Sequence, residues 1–245
     1  MLLALGLASI TSTSYRHIYT FKHALIQESA YRSMTRGSRQ AIHRRIAEVL
    51  EKEYAGTEDA TPEILAHHYE ESGQLESAIA SLKEAGRLAA VKSANVEATN
   101  LLVRALMLVR KLPEGLGRDE LELSLLVALG PLQINTSGPG GPDTRSTYEN
   151  AIELGRKLPH GPHHFAAYWG WWRTAPNFKE MHERANKIST QVAIKEDDQL
   201  RLQAHHCQWA TLFMLGNQRA CCAHISDRLH IYGNGDYRSR GVLYG

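Results

Sequence analysis

Apolar side chains recur three and four positions apart along most of this chain, and the clearest stretch runs from Ala66 to Ala85, AHHYEESGQLESAIASLKEA. Leu65 and Tyr69 fall one turn apart on one helical face, and Gly73 supplies the left-handed residue that ends a helix. Gly73 and Gln74 then make the turn. Leu75 opens a second helix in which Ala78, Ile79, Leu82 and Ala85 follow the i, i+3, i+4, i+7 rule, their small side chains admitting close approach of two backbones. The segment HHCQWATLFMLGNQRACCAHISDRL repeats the plan, with Leu212 and Gly216 ending one helix and Cys221, Ile225 and Leu229 lining the next. A unit of two short helices cannot bury its apolar stripe alone, so such units stack on one another.

The same periodicity predicts helices elsewhere. In SRQAIHRRIAEVLEKEY, Ser38 reads as the N-cap, and Ile42, Ile46, Val49 and Leu50 share one face of a helix of about four turns. Ahead of it, the alternation of Ile18, Thr20 and Phe21 predicts a strand or extended entry, followed by a helix carrying Ala24, Leu25, Glu28 and Tyr31. Thr61 and Pro62 cap the helix that ends at Gly73. Asn95 to Leu112 and Arg118 to Leu132 form a further hairpin about a turn at Pro113 to Gly117, and NTSGPGGPD, Asn135 to Asp143, reads as a loop throughout. Helices follow at 144–158, 162–174, 179–196, 198–215 and 218–231, and no run of strands is predicted after residue 37. The fold class is therefore all-α, built of antiparallel helix hairpins, with a small strand and helix piece at the N-terminus.

The Ala66 to Ala85 pattern resembles the tetratricopeptide repeat, a 34-residue helix-turn-helix unit. The likeness lies in the second half of that motif; Pro62 stands where the motif favours Trp and Ala66 where it favours Gly. It implies a right-handed solenoid.

Bulk properties narrow the function. A chain of 245 residues with 43% hydrophobic and 22% charged residues has enough apolar content for one or two domains with a substantial core. Lys and Arg number 28 against 26 acidic residues, so a net charge of +2 gives no general attraction to nucleic acid or to an anionic membrane. Three cysteines, two of them adjacent, do not form a disulfide framework and suit a reduced, cytoplasmic chain. The apolar run MLLALGLASI lacks a basic leader and is too short to span a bilayer, and reads as a buried strand or helix of a larger domain.

Candidate chemistry is sparse. GPGGPDT lacks the lysine of a phosphate-binding loop and follows no strand, so it reads as a linker. Histidine is abundant, 13 in all, with adjacent pairs at His67/His68, His163/His164 and His205/His206. Neighbours on a helix point about 100 degrees apart and chelate one ion poorly. His205, His206 and Cys207 with Cys221, Cys222 and His224 come nearest to a ligand set, but no Cys-x2-Cys arm is present, and no metal site is assigned. Arg32, Arg36, Arg39, Arg44 and Arg45 read as a solvated face or ion-pairing surface. Phe165, Trp169, Trp171 and Trp172 share one helix and read chiefly as packing between repeats. No Ser/His/Asp or Cys/His arrangement is specified, so no catalytic residue and no cofactor are expected.

The strings YTFKHALIQESAYRSM, IHRRIAEVLEKEY, ILAHHYEESGQLESAI, ELELSLLVALGPL and GPGGPDTRSTYENAIELGRKL together resemble the region that follows the ATPase module in large bacterial proteins joining a class III adenylate/guanylate cyclase domain, an AAA/STAND-type ATPase and a tetratricopeptide-like tail. That resemblance implies the end of an ATPase-associated helical or winged-helix region at 1–58, repeats at 59–231, and a truncated tail at 232–245. No Walker A loop and no acidic cyclase segment occur, so the implied role is non-catalytic: a regulatory or scaffolding segment contacting a protein, a peptide or neighbouring domains of its own polypeptide. A free-standing adaptor, or part of a polypeptide with cyclase activity, are the alternatives.

Overall fold

The computed structural model describes residues 8–13, 16–159, 161–193 and 198–233. Most of the apolar run at Met1 to Ile10 and nearly all of the tail after Ile231 lie outside them. Among the described residues the chain is built of helices, with one two-stranded antiparallel hairpin of β1 (Ala8–Thr13) and β2 (Arg16–Phe21) in which Ile10 pairs with Tyr19. It divides into two compact units, the first ending at Ser81 and the second beginning at Leu82, with the division inside a helix.

In the first unit the hairpin is followed by α1 (Ala24–Ser33), α2 (Arg36–Glu53), a 3-10 turn (Glu58–Ala60), α3 (Pro62–Ser72) and the start of α4 (Leu75–Val91). The α2 cap is Thr35, whose Oγ1 accepts from Ser38 N at 3.2 Å, so the cap lies three residues before the expected Ser38. The α3 start is capped by Thr61, with Pro62 in its first turn, where a missing N–H leaves no intrahelical bond unmade. Its end is set by Gly73 at φ +80, with Gln74 N donating to Tyr69 O at 2.9 Å across the left-handed residue.

The face that α2 buries differs from the one its apolar residues predict. His43 and Ala47 are buried, whereas Ile42 and Val49 are 43% and 37% exposed. At 100 degrees per residue His43, Ala47 and Leu50 share a face centred on the histidine, with Ile42 about a quarter turn away. α2 packs on α3 through this face. Glu51 accepts from the Tyr69 hydroxyl, and burial, this bond and the charges of Glu51 and Glu48 push the phenol up to about 12.

The second unit contains the rest of α4, then α5 (Asn95–Val109), α6 (Leu116–Ser137), α7 (Pro142–Gly155), α8 (Pro162–Arg173), α9 (Phe178–Ala193), α10 (Asp198–Met214) and α11 (Gln218–Gly233). From α5 onward each helix packs on its successor, and α6 and α10 also touch α8. The expected loop at Asn135 to Asp143 is shorter than its composition suggests: α6 continues to Ser137 and α7 begins at Pro142, leaving 138–141. Gly138 takes φ +77 at the end of α6, and Thr144 Oγ1 donates to its carbonyl at 3.1 Å, so proline serves as a helix start rather than a break.

Tyr148 of α7 is the keystone of this unit. Its ring, 1% exposed, lies where side chains on α6 and α8 would otherwise project. A Cβ at Gly130 would fall 2.3 Å from its Cζ, and one at Gly170 would fall 1.8 Å from its Cε1. Further along, Phe165 and Trp172 of α8, Ala185, Ile188 and Val192 of α9, and Ala204 and Cys207 of α10 make one buried cluster. Trp172 Nε1 donates to Thr211 Oγ1 at 2.9 Å, and Thr211 donates to Cys207 O at 2.7 Å, so the indole N–H is buried without loss of its bond.

Candidate functional site

The repeat-packing positions sit as follows. In the first unit Tyr69 is 6% exposed and Ala78 and Ile79 are fully buried, with Leu65 and Leu75 half-buried; in the second, Leu82 and Ala85 are fully buried. Leu212 and Cys221 are buried, and Gly216 ends α10 at φ +75. Ile225 and Leu229 depart from the expected lining role, being 37% and 64% exposed. The inner face of α11 runs through Ala220, His224, Arg228 and Ile231, about a quarter turn from Ile225, because polar residues occupy the positions that contact α10.

Exposed apolar side chains form a run at the end of α10, and others stand at the far end of α11. Phe213, Met214 and Leu215 are 56%, 55% and 45% exposed, and Tyr232 is exposed on α11. A separate cleft of about 460 Å³ in the same unit is lined by Lys83, Glu120, Ser124, His163 and His164 among others. Lys83 Nζ donates to Ser124 Oγ at 3.0 Å, and Ser124 donates on to Leu121 O at 2.8 Å. His164 is fixed by its two nitrogens, one accepting from Gly161 N at 3.0 Å and the other donating to Gly155 O at 2.8 Å. Burial first, then the charge of Lys83 and the neighbouring His164, depress the His163 pKa. This cleft carries a cation and hydrogen-bonding groups suited to a polar peptide group, while the run at the end of α10 suits an apolar one.

The histidines are gathered differently from their sequence pairs. His206 stands against Trp172 and Trp209, with ring centroids 6.0 Å and 5.1 Å away, and accepts from Arg228 Nη1 at 3.2 Å. Cys207 lies in the buried cluster, its thiol pushed up to about 12 chiefly by burial. Cys221 is buried and Cys222 exposed on α11. The six-residue set at 205–207 and 221–224 is therefore split, and only His205 and His224 pair, with Nδ1 atoms 3.0 Å apart and Asp227 nearby.

In the first unit His43, on the inner face of α2, meets His67 and His68 of α3. The ring centroids are 5.6 Å apart for His43 and His67, 5.1 Å for His43 and His68, and 5.3 Å for His67 and His68. His43 Nδ1 and His68 Nδ1 are 2.8 Å apart, and the other nitrogen of His43 lies 3.0 Å from the Tyr31 hydroxyl. Tyr31 donates to Glu71 Oε2 at 3.4 Å. Burial lowers the pKa of both His43 and His68; Glu71 opposes this at His43, and neighbouring imidazoles reinforce it at both. The sequence does not single out His43, since it has no histidine neighbour. Of the basic cluster, Arg32 pairs with Glu28, and Arg39 lies over the Tyr31 ring at 5.4 Å.

Two comparisons with solved structures decide the fold type. BtubC (BKLC) from P. vanneervenii superposes with a TM-score of 0.56 at 10% identity, over 82% of this chain and 92% of that one. The nearly identical TPR-like repeats of a Podosopora anserina chain of the kinesin light chain class superpose with a TM-score of 0.55 at 14% identity, over 81% of this chain and 96% of that one. The fold is tetratricopeptide-like. No family model matches these tetratricopeptide-like repeats. A curated relative, Uncharacterized protein R02095 of Rhizobium meliloti (strain 1021), is 34% identical over 219 residues, covering 89% of this chain and 21% of that protein. The chain thus spans about a fifth of that relative's length. Among the described residues no helix is long and apolar enough to cross a membrane.

Proposed function

We propose that this chain is a non-catalytic scaffold whose tetratricopeptide-like helices hold a protein or peptide partner, or neighbouring domains of the same polypeptide. The observation that carries this reading is the exposed apolar run Phe213, Met214 and Leu215 at the end of α10 in the second unit, set in a fold whose hairpins present helix faces side by side. The cleft around Lys83 and Ser124 adds a polar contact point. A photo-crosslinking residue at position 213, compared with one at the exposed Met107 of α5, tests it. A discrete protein adduct specific to position 213, abolished by Leu215→Glu, supports the reading; no adduct at 213, or equal labelling from 107, overturns it.

The finer reading places residues 1–58 at the end of an ATPase-associated region, 59–231 as the repeat tail and 232–245 as a further stretch, in a signalling protein resembling the cyclase–ATPase fusions. Its support is the set of sequence strings described above, together with the far greater length of the Rhizobium relative. Immunoblotting of source cells separates it from a free-standing adaptor: a band several times larger than 27.4 kDa favours the long polypeptide, and one at that mass favours the adaptor. Cyclase or ATPase activity in the purified chain would contradict both.

A further inference from the structure

We propose that His43, His67 and His68 form a binding site for a divalent transition-metal ion of the kind that prefers imidazole, with Zn²⁺ as its probe. Three imidazoles ligating one tetrahedral ion at the usual zinc–nitrogen distance have ring centroids about 5 Å apart. The observed triangle has sides of 5.1, 5.3 and 5.6 Å. One ligand atom from each ring lies within 4.8 Å of the other two. Tetrahedral ligand atoms stand about 3.3 Å apart, so closure asks for about 1.5 Å of movement. His67 is exposed and free to supply it, while His43 and His68 are already in contact.

The surroundings of His43 favour the ligating form. For its Nδ1 to hold a metal, Nε2 must carry the proton and donate it outward. Tyr31 receives that bond, and its own hydroxyl hydrogen goes on to the Glu71 carboxylate. The chain imidazole–phenol–carboxylate therefore aims the Nδ1 lone pair at His68 and places a negative charge behind the site. The adjacent pair His67/His68, unable to chelate alone, becomes useful because α2 supplies a third ring between them. Water would fill the fourth position on the exposed side of His67. The His205, His224 and Asp227 group lacks these features: it offers two imidazoles, and Arg201 and Arg228 place positive charge beside His205.

The test is calorimetric titration of the full chain, freed of affinity-tag histidines, with Zn²⁺, and with Co²⁺ for its ligand-field absorption. The expected result is one ion per chain at micromolar or tighter affinity, with the absorption of a four-coordinate cobalt site. His67→Gln, at an exposed position that burial does not constrain, weakens binding at least tenfold, and His68→Gln does the same. Tyr31→Phe weakens it about tenfold or more through the outer shell while leaving the stoichiometry at one. His224→Gln leaves binding unchanged. Absence of binding below 100 micromolar, or binding that survives His67→Gln or is lost in His224→Gln, overturns the assignment.

Discussion

Gly170→Ala isolates the part played by Tyr148. Replacing a helical glycine with alanine ordinarily stabilises a helix by about 1 kcal/mol. Here the new methyl would sit 1.8 Å from Tyr148 Cε1 and 2.0 Å from its Cζ, where carbon atoms need about 3.5 Å. The ring has no room to retreat, since its other side already lies against Gly130, so close that a Cβ there would fall 2.3 Å from Cζ. The conflict must be relieved by parting α7 from α8, and overpacking of this kind costs about 1–3 kcal/mol or more. With so deep an overlap the upper figure of about 3 kcal/mol applies, and after the propensity gain of about 1 the net expectation is a loss of about 2 kcal/mol, a fall of roughly 4–8 °C in the melting temperature of a unit this size. Tyr148→Ala on its own should cost about 3–5 kcal/mol as a large-to-small core change. In that background the methyl at 170 meets empty space, and Gly170→Ala should now stabilise. Urea unfolding of the four proteins in the cycle reads the difference, about 3 kcal/mol of coupling. An equal effect of Gly170→Ala in both backgrounds would refute the wedge.

Other outcomes follow from single positions. Gly73→Ala forces a side chain into φ +80 with Gln40 Nε2 only 3.3 Å away, and should lower stability by about 1–2 kcal/mol in denaturant titration, whereas Gly117→Ala, with nothing within 4 Å, should not destabilise. Thr211→Val leaves the buried Trp172 N–H without its acceptor and should cost about 1–3 kcal/mol in thermal unfolding, while Thr211→Ser should cost less. His206 has its pKa lowered by burial, then by Arg228 and Arg173, so between that lowered value and about 6.5 the unfolded chain binds more protons than the native one. Stability should accordingly fall as pH drops below about 6.5, and His206→Gln should make melting temperatures measured from pH 7.5 to 5.5 fall less steeply; an unchanged slope would remove His206 from the account.

The helix hairpins are legible in the sequence because their signals are local. Thr61, Pro62 and Gly73 cap α3 through bonds that span only a few residues, and the alanines of α4 announce close packing by size alone. Faces are harder to read where histidine takes an inner position. His43 on α2 and His224 on α11 displace the buried stripe by about a quarter turn from the one that isoleucine and leucine trace, because an imidazole with partners can be buried as well as an aliphatic side chain. The loop at 138–141 is shorter than its prolines suggest, because a proline that breaks a helix interior also suits a first turn, and Pro142 starts one. The histidine triangle and the Tyr148 wedge leave no trace in spacing. His43 and His68 are 25 positions apart, and the glycines that admit Tyr148 sit on helices either side of its own.

The three thiols lie at graded depths, and this gives the second unit an internal clock. Cys222 is open to solvent, Cys221 is 3% exposed on the same helix, and Cys207 is wholly enclosed, with an ionisation pushed up to about 12. A small alkylating reagent would therefore mark Cys222 at once, Cys221 only when α11 lifts from α10, and Cys207 only when the cluster around Trp172 comes apart. The order and rates of mass increments would report separately on fraying of the last helix and on opening of the core. If the apolar end of α10 is held by a partner in the cell, the second increment should slow while the first is unchanged.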